Sequence, residues 1–238
     1  MKKNLIKSGV VALALLLGTV LSVSAAAQTL MPQVSVLKGE KNFWNGYDPV
    51  SVDGTVNVVI EIAAGTTAKY MVDLKSGMIE LEQKNGAPRY VQYLGYPCNY
   101  GNIPRSVLLK SKGGDGDAVD ALVLGPSVPT GSVVRGRAIG MLSLMDTGEK
   151  DDKVVVVMEN TPFFNVRSIE ELDRKFPGVT TILQTWMTSY KGRDKDGKLY
   201  LSSPGFKGRA ETIKFIGDAV LDFENSVVTD ADRRPLDE

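Results

Sequence analysis

Residues 113–125 read GGDGDAVDALVLG, placing Asp115, Asp117 and Asp120 within six positions, beside the apolar run Val119–Leu124. A short apolar run bounded by glycines predicts a strand, so the carboxylates fall where a tight loop enters a sheet. Three carboxylates this close repel one another, and their apolar neighbours imply partial burial. Each then needs a raised pKa or a cation to stay near the others. Gly113, Gly114 and Gly116 permit the tight backbone that turns several oxygens toward one point. Oxygen-only ligands select hard cations, Mg²⁺ or Mn²⁺ before zinc. A solvated Asp/Gly turn fits the same spacing. An EF-hand loop does not: counted from Asp115, the sixth position is Asp120 rather than Gly, and the twelfth is Pro126 rather than Glu.

Outward from this stretch the β signal extends both ways. Val56–Ile62, Lys69–Leu74, Met78–Glu82 and Arg89–Leu94 read as short strands, with Asn85-Gly86 as a hairpin turn. Ser132–Leu144 and Lys153–Met158 continue the pattern, and closely spaced strands of this kind predict a small barrel. Helices follow. Ser168-Ile169-Glu170-Glu171 is a capping box that opens a short helix closed by Pro177. Thr180–Tyr190 carries Ile182, Leu183, Trp186, Met187 and Tyr190 at helical period, and Gly208–Asn225 does the same with Ile213, Ile216, Val220 and Phe223. The fold class is mainly β with flanking helices.

The N-terminal 27 residues read as an address. Lys2, Lys3 and Lys7 precede an apolar core, and Ser24-Ala25-Ala26-Ala27 offers small-residue cleavage sites, the pattern of a secretory signal peptide. The expected destination is the periplasm or the medium, with no membrane attachment after cleavage. Residues 28–54 read as an extended arm, 55–228 as the main domain, and 229–238 as a frayed, charged tail. Without the three leader lysines, 25 basic residues face 28 acidic ones, and no basic cluster invites nucleic acid. The chain has no histidine, which excludes Ser-His and Cys-His triads and a typical His-ligated zinc site. Its single cysteine, Cys98, cannot form an internal disulfide and is expected to be a buried, inert thiol.

A second acidic cluster, Asp146 to Lys153, follows the long strand. Alone it reads as a solvated hairpin tip; in a barrel the same tip can face Asp115–Asp120 across a rim. Lys69, Arg89, Lys153, Lys191 and Lys198, with Tyr96, Tyr100 and Tyr190, fall at or near element ends. Carboxylate-bound cations together with Lys, Arg and Tyr suit a small, dense polyanion.

The run Asp115-Gly116-Asp117-Ala118-Val119-Asp120 followed by Ala121-Leu122-Val123 resembles the signature of the soluble family I inorganic pyrophosphatases. Further matches are VVIEI ending at Ile62, Lys69-Tyr70, Arg89, Tyr96-Pro97-Cys98-Asn99-Tyr100-Gly101, Asp146–Lys153 and Tyr190-Lys191. The resemblance implies a five-stranded OB-like closed β-barrel and hydrolysis of inorganic pyrophosphate to two phosphates by a metal-bound hydroxide. It implies Mg²⁺ as cofactor, with Mn²⁺ as a substitute and Ca²⁺ as an inhibitor, and a homo-oligomer. Asp115, Asp120, Asp146, Asp151 and Glu61 are implied as metal-serving residues, with Asp117 and Tyr96 in catalytic positions. Of these, Asp117 would orient and deprotonate the attacking water. Lys69, Arg89, Tyr100, Lys153, Tyr190 and Lys191 are implied to hold the phosphoryl oxygens, and Lys198 matches at a spacing one residue longer. The chain departs from the pattern at Ala118, where Pro is usual, at Met71, where many members have Glu, and at Thr147, where an acid is frequent. Two other readings fit parts of the pattern: a secreted Ca²⁺-binding module without catalysis, and a broader phosphoanhydride hydrolase.

Overall fold

The computed structural model describes residues 35–232, with side chains to residue 226. The expected leader, the first part of the expected arm and the last six residues lie outside that range. In chain order the strands are β1 (Val36–Leu37), β2 (Val56–Ile62), β3 (Tyr70–Val72), β4 (Ile79–Leu81), β5 (Gln83–Lys84), β6 (Ala87–Pro88), β7 (Asn99–Ile103), β8 (Val119–Leu124), β9 (Val133–Asp146), β10 (Glu149–Lys150) and β11 (Lys153–Met158). Helices α1 (Ile169–Lys175) and α2 (Val179–Ser189), strand β12 (Leu201–Lys207) and helix α3 (Arg209–Asp232) complete the chain.

The main sheet runs β10-β9-β11-β8-β7-β2, with β12 paired to β9. Strand β9 is long enough to serve several neighbours: Val133–Gly136 face β2, Gly136–Leu142 face β11, and its far half faces β12 and β10. Among the described residues only β8 and β11 pair in parallel. Glycines permit the closest approaches. A Cβ at Gly101 on β7 would stand 1.8 Å from the Val59 carbonyl oxygen, and one at Gly136 would stand 2.5 Å from Val156.

The unbroken apolar runs follow from burial on both faces of the sheet. Leu122 and Leu124 of β8, with Val155 and Val157 of β11, enter one core with Leu183, Trp186 and Met187 of α2. Val119, Ala121 and Val123, with Val154 and Val156, point the other way into a core covered by Ile216 and Ala219 of α3. Alternate positions of a strand thus bury against different helices. Cys98 is buried in the first core, and desolvation pushes its thiol up to about 12.

Several expectations need correction. Within residues 35–54 of the expected arm, β1 pairs β4, Phe43 is buried, and Trp44 packs edge-on against Phe223 at 5.2 Å. The segment Arg89–Leu94 is not a strand. It holds only an isolated bridge from Tyr90 to Ala68, while the Asn85-Gly86 hairpin joins β5 to β6 with both φ angles positive. Ile182 and Ile213, placed on the apolar faces of their helices, are 57% and 40% exposed. Helix α3 continues through the start of the expected tail, to Asp232. The capping box opens α1 as expected, since Ser168 accepts from the Glu171 N–H, while the Glu171 carboxylate accepts from Arg167 N–H, one residue earlier than the reciprocal bond requires.

Candidate active site

The loop before β8 is shaped by its own acids. The Asp115 carboxylate accepts the Asp117 N–H at 2.9 Å, and Gly116 N–H donates to the Leu108 carbonyl at 2.8 Å. Gly113 and Gly116 hold φ near +85° and +93°, conformations that side chains resist. Ser106 is buried and its hydroxyl accepts the Val119 N–H, fixing where the loop becomes strand. Asp120, the second residue of β8, lies in register with Asn102 on β7.

These acids open onto a cavity of about 310 Å³. Asp115, Asp117, Asp120, Asp146, Asp151, Lys69, Arg89, Tyr100, Lys153, Tyr190 and Lys191 all line it, so strand ends and loops far apart in sequence meet there. Met71, Glu82, Glu149 and Lys150 complete the lining, giving seven carboxylates against five cations.

One ammonium is shared between two acids. Lys153, 5% exposed, donates to both Asp120 and Asp151, and Lys191 donates to Asp146. Burial alone would lower Lys153, but Asp120 and Asp151 outweigh it and hold its pKa above the usual lysine range. Asp151 is nevertheless raised, by burial first and by repulsion from Asp120, with Lys153 opposing. The two directions agree physically, because one ammonium cannot fully neutralise two carboxylates. Burial raises Asp146, but hydrogen bonds from Lys191 and Thr147 prevail and leave it below the usual range. Asp117 has an exposed side chain, yet loss of water around its carboxylate, then repulsion from Asp115 and Asp120, raises its pKa.

Glu61 lies behind this cavity, in an adjoining space of about 70 Å³ bounded also by Asn102, Asp117 and Asp120. It is buried on β2, and its carboxylate accepts from Val72 N–H at 2.7 Å and Asn102 Nδ2 at 3.0 Å. Desolvation pushes it up to about 7. Tyr100 joins the two spaces, with the ammonium groups of Lys69 and Lys153 at 5.0 and 5.9 Å from its ring centroid. Burial raises Tyr100 and Tyr96 far enough to keep both phenols neutral.

Two expected residues line neither space. Tyr96 is buried between Tyr100, at 5.3 Å, and Trp186, at 4.4 Å, so it supports the wall rather than forming it. Lys198 is exposed in the Asp194–Lys198 turn, where its N–H donates to the Asp194 carboxylate. Conversely, Glu82 and Asn102 were not expected at the site, while Glu149 and Lys150 come with the expected tip of the Asp146–Lys153 cluster. Glu82 pairs with Arg89 at 2.5 Å across seven residues, a contact that nothing in the sequence marked.

The cavity can hold hard cations. Its acids offer oxygen alone, they outnumber the cations, and Asp120 with Asp151 already closes on one positive group. Among the described residues no three acidic, cysteine or histidine side chains converge as they stand, and Lys153 and Lys191 are paired with three of the acids.

A mainly β domain presenting such a mixture of acids, lysines and tyrosines in one cavity belongs to the class of proteins that handle small phosphate anions. Comparison with known proteins makes this specific. The model of the inorganic pyrophosphatase family matches residues 58–224, and the chain belongs to that family. It is 35% identical over 170 residues to the inorganic pyrophosphatase of Gluconobacter oxydans, covering 69% of this chain and 89% of that one. Against the mitochondrial inorganic pyrophosphatase of Saccharomyces cerevisiae it is 33% identical over 159 residues, spanning half of that protein. The fold is similar to a truncated vacuolar soluble pyrophosphatase of Trypanosoma cruzi in complex with PPi. The TM-score there is 0.71 at 22% identity, covering 78% of this chain and 79% of that one. The inorganic pyrophosphatase of Thermus thermophilus gives a TM-score of 0.64 at 24% identity, with 77% and 99% covered.

Proposed function

We propose that the chain hydrolyses inorganic pyrophosphate to two phosphates in this cavity, using Mg²⁺. The observation that carries the reading is the meeting of Asp115, Asp117, Asp120 and Asp151 with Lys69, Arg89, Tyr190 and Lys191 around one space of about 310 Å³. Pyrophosphate is compact and highly charged, so it needs cations on its oxygens and a proton acceptor beside its phosphorus.

Asp115, Asp120 and Asp151 would hold the metal, Asp146 would serve a metal that enters with substrate, and Glu61 would serve another through water. A divalent cation held there supplies polarisation of the phosphoryl group and a lowered pKa for attacking water, with Mn²⁺ as a substitute and Ca²⁺ as an inhibitor. Asp117, raised but unpaired by any lysine among the described residues, takes the proton of the attacking water. As the water oxygen bonds to phosphorus, the bridging P–O bond breaks and its electron pair leaves on the second phosphate. Arg89, Lys191 and Tyr190 steady that phosphate, while Lys69, Lys153 and Tyr100 hold the oxygens of the group under attack. Tyr96, buried behind Tyr100 and Tyr190, acts by fixing those rings.

In the same reading β2, β7, β8, β11 and β9 close as an OB-like barrel, with β9 reaching back to β2. Residues 1–27 direct export to the periplasm or medium, and the mature chain assembles as a homo-oligomer. Phosphate release from pyrophosphate with Mg²⁺, measured beside release without metal, tests the central reading. Equal, negligible release in both would overturn it. N-terminal sequencing of the secreted protein and light scattering test export and assembly.

A further inference from the structure

Glu61 reaches its position through an irregularity in the sheet. Ile60 faces Gly101 and Ile62 faces Tyr100, so Glu61 is the extra residue of a bulge in β2, and its carbonyl accepts from the Thr130 hydroxyl at 3.0 Å. Its carboxylate borders the small space behind the catalytic cavity. Asn102 stands across from Asp120 in the β7–β8 ladder, so the two side chains leave the sheet on one face, and both border the same space. Asn102 is 3% exposed. Its Nδ2 donates to Glu61, but its Oδ1 has no partner among the described residues. A buried amide oxygen is seldom left unmet, so the contact with Glu61 accounts for only one end of this side chain. Met71, Val72, Leu74 and Ala118 make other walls of the space apolar, and its volume of about 70 Å³ has room for water.

We propose that Asn102 is a positioning residue of the cation site: its amide N–H holds the Glu61 carboxylate, and its amide oxygen holds the water through which Glu61 serves a cation. The inference rests on the Mg²⁺-dependent reading above. A water has two O–H donors, and Glu61 and Asn102 supply two acceptors, which leaves the water oxygen free for the cation. Position 102 therefore needs a donor toward the carboxylate and an acceptor toward the water. Among side chains of this size only the asparagine amide offers both in fixed directions. An aspartate would set a second acceptor against Glu61, and a leucine would offer neither group. Asp120 and Asp117 border the same space, so a water fixed there also stands beside a proposed metal ligand and the proposed base.

Asn102→Leu keeps the size of the side chain and removes both functions. Three quantities are compared with the parent protein: Mg²⁺ affinity without substrate by calorimetry, the Mg²⁺ concentration giving half the maximal rate of phosphate release, and urea unfolding with chelator. The expected result is Mg²⁺ binding weakened about tenfold or more, with the half-maximal concentration raised by a similar factor. A side chain that matters only for packing moves the unfolding midpoint and neither Mg²⁺ quantity, and that result overturns the proposal. A crystal structure of the parent protein grown with Mg²⁺ gives a second reading that does not depend on how the variant folds. A water within hydrogen-bond distance of both Asn102 Oδ1 and the Glu61 carboxylate is expected there. An amide oxygen met by a protein group instead overturns the proposal. If the parent protein binds Mg²⁺ but does not hydrolyse pyrophosphate, and Asn102→Leu still weakens that binding, the hydrolytic reading falls and the positioning role stands.

Discussion

Glu61→Gln should stabilise the metal-free protein, increasingly so as pH rises. Glu61 is 5% exposed and titrates at about 7 in the folded chain, against an ordinary value of 4.5. The sign follows from proton linkage. Below about pH 4.5 both folded and unfolded chains carry the neutral acid, and the full stability is present. Between 4.5 and 7 the unfolded chain releases a proton that the folded chain keeps, so stability falls as pH rises through the folded pKa. A gap of that size corresponds to about 3 kcal/mol above pH 8. Glutamine keeps the oxygen that accepts from Val72 and Asn102 and stays neutral throughout. Its new N–H also has a candidate acceptor, since the buried Asn102 Oδ1 has no partner among the described residues. Urea unfolding with chelator at pH 4.5, 6 and 8 should give nearly equal stabilities at the lowest pH and a gap of about 3 kcal/mol at the highest. Parallel curves at every pH would refute the raised pKa. A uniform loss would show instead that the hydrogen bonds depend on the carboxylate.

Asp117→Asn should lower kcat by about 10²–10⁴-fold and shift the pH–rate profile alkaline while Mg²⁺ affinity by calorimetry is kept; Asp115→Asn and Asp120→Asn should lose affinity instead. If all three lose metal alike, Asp117 is a ligand and not the base. Ca²⁺ added to a Mg²⁺ assay should slow phosphate release and excess Mg²⁺ should restore it, since Ca²⁺ takes more oxygens in looser geometry; full rates with Ca²⁺ alone would contradict this. Met71 lines the catalytic cavity, so Met71→Glu should move the Mg²⁺ concentration dependence with little change in the saturated rate; a collapsed saturated rate would mean that its side chain is needed for packing.

The strands readable in sequence were those whose both faces are apolar: β2 and β11 fall on the residues expected, and β8 likewise. Strand β7, NYGNI, was not readable, because its residues answer to distant partners. Asn99 is fully buried, accepting from Ala64 and Val128 N–H and donating to the Pro126 carbonyl, while Gly101 exists for the close passage of β2. Strand β12 hides behind Pro204 and Gly205, which fall at a register shift against β9. At the site, the acids of the 115–120 loop announced themselves by crowding. Glu82 and Asn102 did not, because their relevance comes only from which loop and strand ends the sheet brings together.

The burial of Cys98 gives the molecule an internal clock. It is the sole thiol in the chain, 3% exposed in the core beside Tyr96, with a pKa that leaves almost no reactive thiolate at neutral pH. A thiol reagent can therefore modify it only while the core is open. The modification rate at high reagent concentration then equals the opening rate, and at low concentration it reports the open population. With no engineered probe site, one native residue can time how often this fold lets go.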